Sequence, residues 1–442
     1  MRDKYYHIIP GGPLQGRVKL SGAKNAATKE IVASLLTTEE CFLENVPHIL
    51  DISLTLEMCQ ELGSQFVFEK HVLKIRTPKI QKPQVSKSYS GRNRIPILMV
   101  GPLLHRYGEA IVPVVGGDKI GRRPIDFHLS ALEKMGAEIN QKDNLYIIKA
   151  KRLHGAEIFL PYPSVGATEN ILLNGVLAEG RTIIRNAAIE PEIIDLVMVL
   201  QKMGAIIELK EDRTYIIDGV KNLRGFRHRV LPDRIEAGSF AAAAIASGGD
   251  IFIEGAEQIN MVTFINKIRL VGGEIEVREG GIRFFNKKGS LRATNIETNT
   301  HPGFMTDWQP PFVVLLTQAH GESIIHETVF ENRFGFTSEL IKMGANIKLS
   351  TRCLGSLPCR FENKGFSHSC IVFGKTKLHG AKIKVPDIRA GFSYLIAASI
   401  AEGASEVFGV DHIERGYENI ANKLRALGVK IKIKRNHASR DI

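Results

Sequence analysis

Apolar and polar residues along this chain alternate with two periods, and the same succession returns six times. An amphipathic segment with apolar positions three and four apart runs into Leu/Met-Gly-Ala or a close variant. A stretch that alternates apolar with polar residues follows at once. The junctions are Glu61-Leu62-Gly63, Lys134-Met135-Gly136-Ala137, Lys202-Met203-Gly204-Ala205, Val271-Gly272-Gly273, Lys342-Met343-Gly344-Ala345 and Ala426-Leu427-Gly428-Val429. Each predicts a helix closed by a left-handed glycine, then a half-buried strand. Most copies also carry an upstream Ala- or Leu-rich helix with a short β stretch behind it, such as Arg181-Thr182-Ile183-Ile184. The period of roughly 70 residues exceeds the 20 to 50 of solenoid repeats, so each copy reads as a compact α/β unit of about two helices and three or four strands. Six units divide most simply three and three into two similar domains, with the switch near Val230-Leu231-Pro232-Asp233. The last interval is the longest, and its surplus over residues 351–369 reads as an elaborated loop.

Composition narrows the picture. A chain of 442 residues that is 44% hydrophobic and 24% charged has ample material for two or three cores. No apolar run approaches the roughly 18 residues of a spanning helix, and residues 1–13 lack a signal-type segment, so the expectation is a soluble cytoplasmic protein with no membrane association. Five cysteines give no disulfide framework. Cys353, Cys359 and Cys370 gather near His368, but their spacing is not that of a paired C-x-x-C knuckle; they read as scattered thiols of a surface insertion, and no metal site is assigned. The net charge of +12 favours anionic partners, either small phosphorylated molecules or nucleic acid.

Two features carry candidate chemistry. In Gly116-Gly117-Asp118-Lys119-Ile120-Gly121-Arg122-Arg123-Pro124-Ile125-Asp126-Phe127-His128, glycines flank a carboxylate, and a basic cluster stiffened by Pro124 follows. That pattern suits a mobile acid over residues 116–122 beside an anion clamp. A basic surface turn is the plain alternative. The second feature is cations at predicted helix starts: Lys24 after Ser21-Gly22-Ala23, Arg234 after Asp233 and Arg389 after Asp387. A cation there opposes the helix dipole by about 0.3 to 1 kcal/mol, and a bound phosphate or carboxylate removes the conflict.

Together these residues resemble the enolpyruvyl transferases. The motifs occur in order: Gly22-Ala23-Lys24-Asn25, Arg94 ahead of Gly101-Pro102-Leu103, the 116–128 loop, Ser164-Val165-Gly166-Ala167-Thr168, Glu190-Pro191-Glu192, Leu231-Pro232-Asp233-Arg234-Ile235-Glu236, Thr306-Asp307, Glu331-Asn332-Arg333-Phe334, Asp387-Ile388-Arg389-Ala390 and His412-Ile413-Glu414-Arg415-Gly416-Tyr417. The resemblance spans essentially the whole chain. It implies an α/β fold of two inside-out barrels built from six βαβαββ-type repeats, one barrel from residues 23–231 and the other from 1–22 with 232–442, with substrates held between them.

The activity implied is transfer of the enolpyruvyl group of phosphoenolpyruvate to the 3'-hydroxyl of UDP-N-acetylglucosamine, with release of phosphate, the first committed step of peptidoglycan precursor synthesis. By the same resemblance Lys24, Arg94, Arg123, Arg389 and Arg415 hold phosphoenolpyruvate. Asn25, Arg94, Arg123, Pro124, Ile125, Asp126, Phe127, Ser164, Val165, Gly166, Asp307 and Val329 hold the sugar nucleotide. Asp118 is the general acid and Asp307 the base, with Lys24 and Asn25 steadying the intermediate. No metal or organic cofactor is implied, because clustered arginines supply the electrostatic stabilisation. Most family members carry cysteine where this chain has Asp118, and that thiol is the target of fosfomycin, so resistance to the drug is expected. Aspartate donates a proton near neutrality only if its pKa rises by about 3 units, on the order of 4 kcal/mol. Two other readings stay open: the sister transferase acting on shikimate 3-phosphate, and a protein binding nucleic-acid ends.

Overall fold

The computed structural model describes residues 4–117, 120–121, 123–286 and 289–435. The chain forms two compact units. The first holds residues 22–117 and 123–231; the second holds 4–21, 120–121 and 232–435.

Among the described residues each unit has three sheets of one pattern. A short edge strand runs parallel to its neighbour, which continues antiparallel into two more strands. In the first unit Arg227–Arg229 pairs in parallel with Cys41–Glu44, and Val72–Arg76 and Gln65–Glu69 follow; Glu157–Phe159, Arg181–Arg185, Tyr215–Asp218 and Ile206–Leu209 repeat the order. The third sheet has Glu109–Pro113, Leu145–Lys149 and Glu138–Lys142, with a parallel bridge from Gln84 to Ile111 in place of the edge strand. In the second unit the edge pairs are Gln15–Lys19 with Asp250–Glu254, Ile296–Glu297 with Gly321–His326, and Lys382–Lys384 with Ser405–Phe408. The six glycines at the repeated junctions, Gly63, Gly136, Gly204, Gly272, Gly344 and Gly428, all have positive φ, from +94° to +112°. A side chain there would meet its own backbone, so glycine ends each helix and turns the chain into the next strand.

Largely buried helices lie inside each unit. In the second unit Arg234–Ala246, Gln309–Thr317 and Ile388–Ile400 pack against one another. The run of small residues from Ala241 to Ala244 is wholly buried. Close approach is also explicit at Gly238, where a Cβ would fall 2.5 Å from Cδ1 of Trp308. Around these helices Phe240, Phe264, Phe312 and Phe392 fill the core, and truncating such a ring to alanine costs about 3 to 5 kcal/mol. In the first unit, Lys24–Ala33 and Val165–Gly175 both pack against the short helix Ile95–Leu98. The packing brings the chain at Arg94 to the same interior as the other two helices.

The surplus sequence forms the connection between two antiparallel strands, Asn346–Ser350 and Ser369–Gly374, paired from Ser350 opposite Ser369. No helix among the described residues is long and apolar enough to cross a membrane.

Candidate active site

The sequence-predicted residues fall into two sets, one in each unit. In the first unit, helix Lys24–Ala33 begins after Ala23, which offers no side-chain cap, and no acidic residue stands in its first turn. A cation at such a start is unfavourable without a partner. Lys24 has one: its Nζ lies 2.9 Å from Oδ2 of buried Asp51. Asn25 follows half-buried, and its carbonyl accepts a 2.7 Å hydrogen bond from Lys29.

Arg94 and Arg123 are brought together. Nη1 of Arg94 donates to the Arg123 carbonyl at 2.8 Å, and Nη2 reaches the Pro124 carbonyl at 3.5 Å. Arg123 has φ of +47°, a conformation that costs a non-glycine residue free energy and is held here by the Arg94 clamp on its carbonyl. A Cβ on Gly117 would come within 3.1 Å of Arg123 Nη1, so the guanidinium packs on the glycine backbone. Burial, and then Arg123, lowers the Arg94 pKa to about 10. Two guanidinium groups this close favour an anion between or beside them.

Beyond the clamp, Pro124 is exposed, Ile125 is buried at 7%, and Asp126 and Phe127 open helix Asp126–Lys134. Ile125 therefore belongs mainly to the core. Ser164 caps helix Val165–Gly175, its Oγ accepting from Ala167 N–H at 3.4 Å. Gly166 sits against His128, whose ring would meet a Cβ at 3.3 Å. The sequence reading gave His128 no role, yet it joins the two helix starts. Burial and Arg94 push its pKa down to about 3, so the imidazole is neutral.

In the second unit Asp307 and Arg389 meet. Arg389 Nε is 3.6 Å from Asp307 Oδ1, and Arg389 Nη1 donates to Tyr417 Oη at 2.9 Å. Asp387 caps the Arg389 helix, accepting from Arg389 and Ala390 N–H at 2.9 and 3.0 Å. Arg333 bridges both acids: Nη2 lies 3.2 Å from Asp307 Oδ1 and Nη1 3.6 Å from Asp387 Oδ1. Sequence reading quoted Arg333 within a motif without assigning it a task. Glu327 was also missed. Its buried carboxylate accepts from Thr306 Oγ1 at 2.9 Å and from Val329 and Phe330 N–H at 2.8 and 3.1 Å, tying the Asp307 turn to Val329. Arg415 closes the short helix Asp411–Glu414, two residues before Tyr417. Arg234, expected with Lys24 and Arg389 as an anion contact, is 3% exposed and packs over Trp308, whose Nε1 donates to its carbonyl at 3.0 Å. Asp118, the expected acid, lies outside the described residues.

Comparison with known proteins places the chain in a family. The family described as EPSP synthase (3-phosphoshikimate 1-carboxyvinyltransferase) matches residues 8–424. A UDP-N-acetylglucosamine 1-carboxyvinyltransferase from Protochlamydia amoebophila is 50% identical over 434 residues, covering 96% of this chain and 93% of the relative. One from Chlamydia pneumoniae is 49% identical with the same coverage. Among solved structures, the enolpyruvyl transferase NikO from Streptomyces tendae superposes with a TM-score of 0.88 at 22% identity over 99% of this chain and 100% of that one. EPSP synthase from Acinetobacter baumannii gives 0.75 at 16% identity over 98% of this chain and 100% of that one. At those identities the two structures speak for the fold. With half the residues shared across nearly full length, the chain belongs to the enolpyruvyl transferase family, alongside the UDP-N-acetylglucosamine 1-carboxyvinyltransferases.

Proposed function

We propose that this protein transfers the enolpyruvyl group of phosphoenolpyruvate to the 3'-hydroxyl of UDP-N-acetylglucosamine, in the cytoplasm, as the committed step of peptidoglycan precursor synthesis. The observation that carries the reading is the Asp307–Arg389–Arg333 cluster, a carboxylate at a helix start with two guanidinium groups on it. Each unit reads as one inside-out barrel of three repeats. Three like-patterned sheets per unit support that reading.

The chemistry is addition followed by elimination. Asp307 accepts the proton of the sugar hydroxyl as its oxygen bonds to C2 of phosphoenolpyruvate, while Asp118 protonates C3. The tetrahedral adduct carries phosphate and carboxylate on one carbon, and Lys24, Arg94, Arg123, Arg389 and Arg415 neutralise them, with Asn25 steadying the adduct. Paired guanidinium hydrogen bonds fix orientation as well as charge. Return of a C3 proton to the Asp118 carboxylate and cleavage of the bond from C2 to the phosphate oxygen then release the enolpyruvyl ether and inorganic phosphate, which carries off the proton held by Asp307. Pro124, Asp126, Phe127, Ser164, Val165, Gly166 and Val329 line the nucleotide sugar, with Ile125 supporting them from the core. Phosphate release from phosphoenolpyruvate that depends on UDP-N-acetylglucosamine tests the assignment.

A further inference from the structure

Four side chains that this reaction leaves unused meet beside the 351–368 connection: His326, Cys353, Cys359 and His368. One ligand atom from each lies within 4.8 Å of all the others. Cys353 Sγ is 3.2 Å from His368 Nε2. Both histidines are wholly buried and both thiols half-buried. The tautomer of His368 follows from its partner: Nδ1 stands 2.7 Å from the Phe366 carbonyl, which only accepts, so Nδ1 carries the proton and the Nε2 lone pair faces the sulfur. Neither ring nitrogen of His326 has a hydrogen-bond partner. The nearest carboxylate oxygen, Glu297 Oε2, is 3.8 Å from its Nδ1. A buried imidazole with both nitrogens unsatisfied is costly and requires a reason.

We propose that these four residues bind a structural zinc ion. Two thiols and two imidazoles are the donor set zinc prefers, and a tetrahedron with bonds of about 2.0 to 2.3 Å has ligand edges of about 3.5 Å. The Cys353–His368 edge of 3.2 Å already fits. The other separations, all within 4.8 Å, close by at most about 1.3 Å, a movement within reach of the connecting loop. Binding converts the two thiols to thiolates and releases their protons to water. The surroundings are built for this. Glu297 accepts from Ser356 N–H and Leu357 N–H, both at 2.8 Å, and from Ser356 Oγ at 2.9 Å, holding the loop between the two cysteines. The same carboxylate stands on the Nδ1 side of His326, as the outer partner that orients a metal-bound imidazole. Gly355 lets the loop cross that ring, since a Cβ there would fall 2.1 Å from His326 Nδ1.

Cys370, grouped with these thiols on sequence, is not a member. It lies in strand Ser369–Gly374 opposite Ile325 and Leu349, inside the core. The ion would tie the end of one strand, the connection and the entry to the next strand into one knot. Glu327, next to His326, donates its N–H to the His368 carbonyl at 2.8 Å, and Arg360, next to Cys359, donates to the Val329 carbonyl. The metal site stands independently of the substrate assignment; the bracing of Val329 gives it a purpose within that assignment.

The test uses the full-length protein, purified from zinc-supplemented cells without chelator and under reducing conditions. Elemental analysis should find one equivalent of zinc per chain, released as a mercurial titrates the thiols. Exchange with cobalt should give the intense visible bands of a tetrahedral site with thiolate-to-cobalt charge transfer. Cys353→Ser, Cys359→Ser and His326→Gln should each lose the zinc, and Cys370→Ala should keep it. Sub-stoichiometric zinc together with no cobalt spectrum after reconstitution would overturn the proposal, as would a metal-free Cys353–Cys359 disulfide in the purified protein. The wild-type measurements decide even if a variant fails to fold.

Discussion

Arg389 Nε stands 3.6 Å from Asp307 Oδ1, joining the starts of two buried helices. Burial works against the charge of Arg389, but Tyr417, Asp307 and Asp233 outweigh it, and the net shift of its pKa is upward. Such a guanidinium stays charged in an interior only because each neighbour is placed to receive it. Arg333 Nη2 reaches the same oxygen at 3.2 Å, so two guanidinium groups hold one side of the Asp307 carboxylate.

Asp307→Asn should therefore lower kcat by about 10²- to 10⁴-fold, the range of a lost general base. KM for the nucleotide sugar should change far less. Steady-state kinetics on a variant whose circular dichroism matches wild type check this. A fall below tenfold would remove Asp307 from the base role.

Arg94 acts through geometry as well as charge, because its two terminal nitrogens grip the carbonyls of Arg123 and Pro124. Lysine keeps the charge but offers no planar fork. Arg94→Lys should reduce kcat/KM for phosphoenolpyruvate by roughly 10²-fold, in line with about 1.5 to 3 kcal/mol for a charged hydrogen bond. A lysine variant with wild-type kcat/KM would show that the clamp is not needed.

Much of the fold was legible because its signals are local. A helix stripe, a C-cap glycine and an alternating strand lie within a dozen residues, and all six glycines take the left-handed conformation their positions implied. The pairing of Arg94 with Arg123 was legible only as two family positions. Arg333, Glu327 and His128 were not legible as site residues, because each works on a partner distant in sequence: Arg333 on Asp307 and Asp387, Glu327 on Thr306, His128 on Gly166. The stacking of Arg234 on Trp308 is likewise tertiary and was not legible from its helix-start position. His326 escaped the cysteine reading because it sits on a strand well upstream of Cys353.

His128 gives the protein a pH-dependent stability. Its folded pKa of about 3 lies below the ordinary value near 6.5, so between them the unfolded chain binds the extra proton. The sign follows directly: stability is full above about 6.5 and falls as pH drops, by about 1.4 kcal/mol per pH unit for this one group. Urea unfolding from pH 8 to pH 5 should show a shallower decline in His128→Asn than in wild type. Equal slopes would contradict the buried, neutral imidazole.

We propose that Asp118 stands where the family resemblance expects the thiol alkylated by the epoxide of fosfomycin; a carboxylate is a far weaker nucleophile. Preincubation with the drug should leave wild-type activity unchanged. Asp118→Cys should show time-dependent covalent loss, and Asp118→Asn should be inactive. Wild-type inactivation with a matching mass increase would count against the reading.

The central claim is the choice of acceptor within a family whose members include both UDP-N-acetylglucosamine and 3-phosphoshikimate 1-carboxyvinyltransferases. Phosphate release from phosphoenolpyruvate, measured with UDP-N-acetylglucosamine and shikimate 3-phosphate side by side, tests it most directly. The account predicts release with the nucleotide sugar and none above background with shikimate 3-phosphate. The reverse preference, or no release with either acceptor, would contradict it.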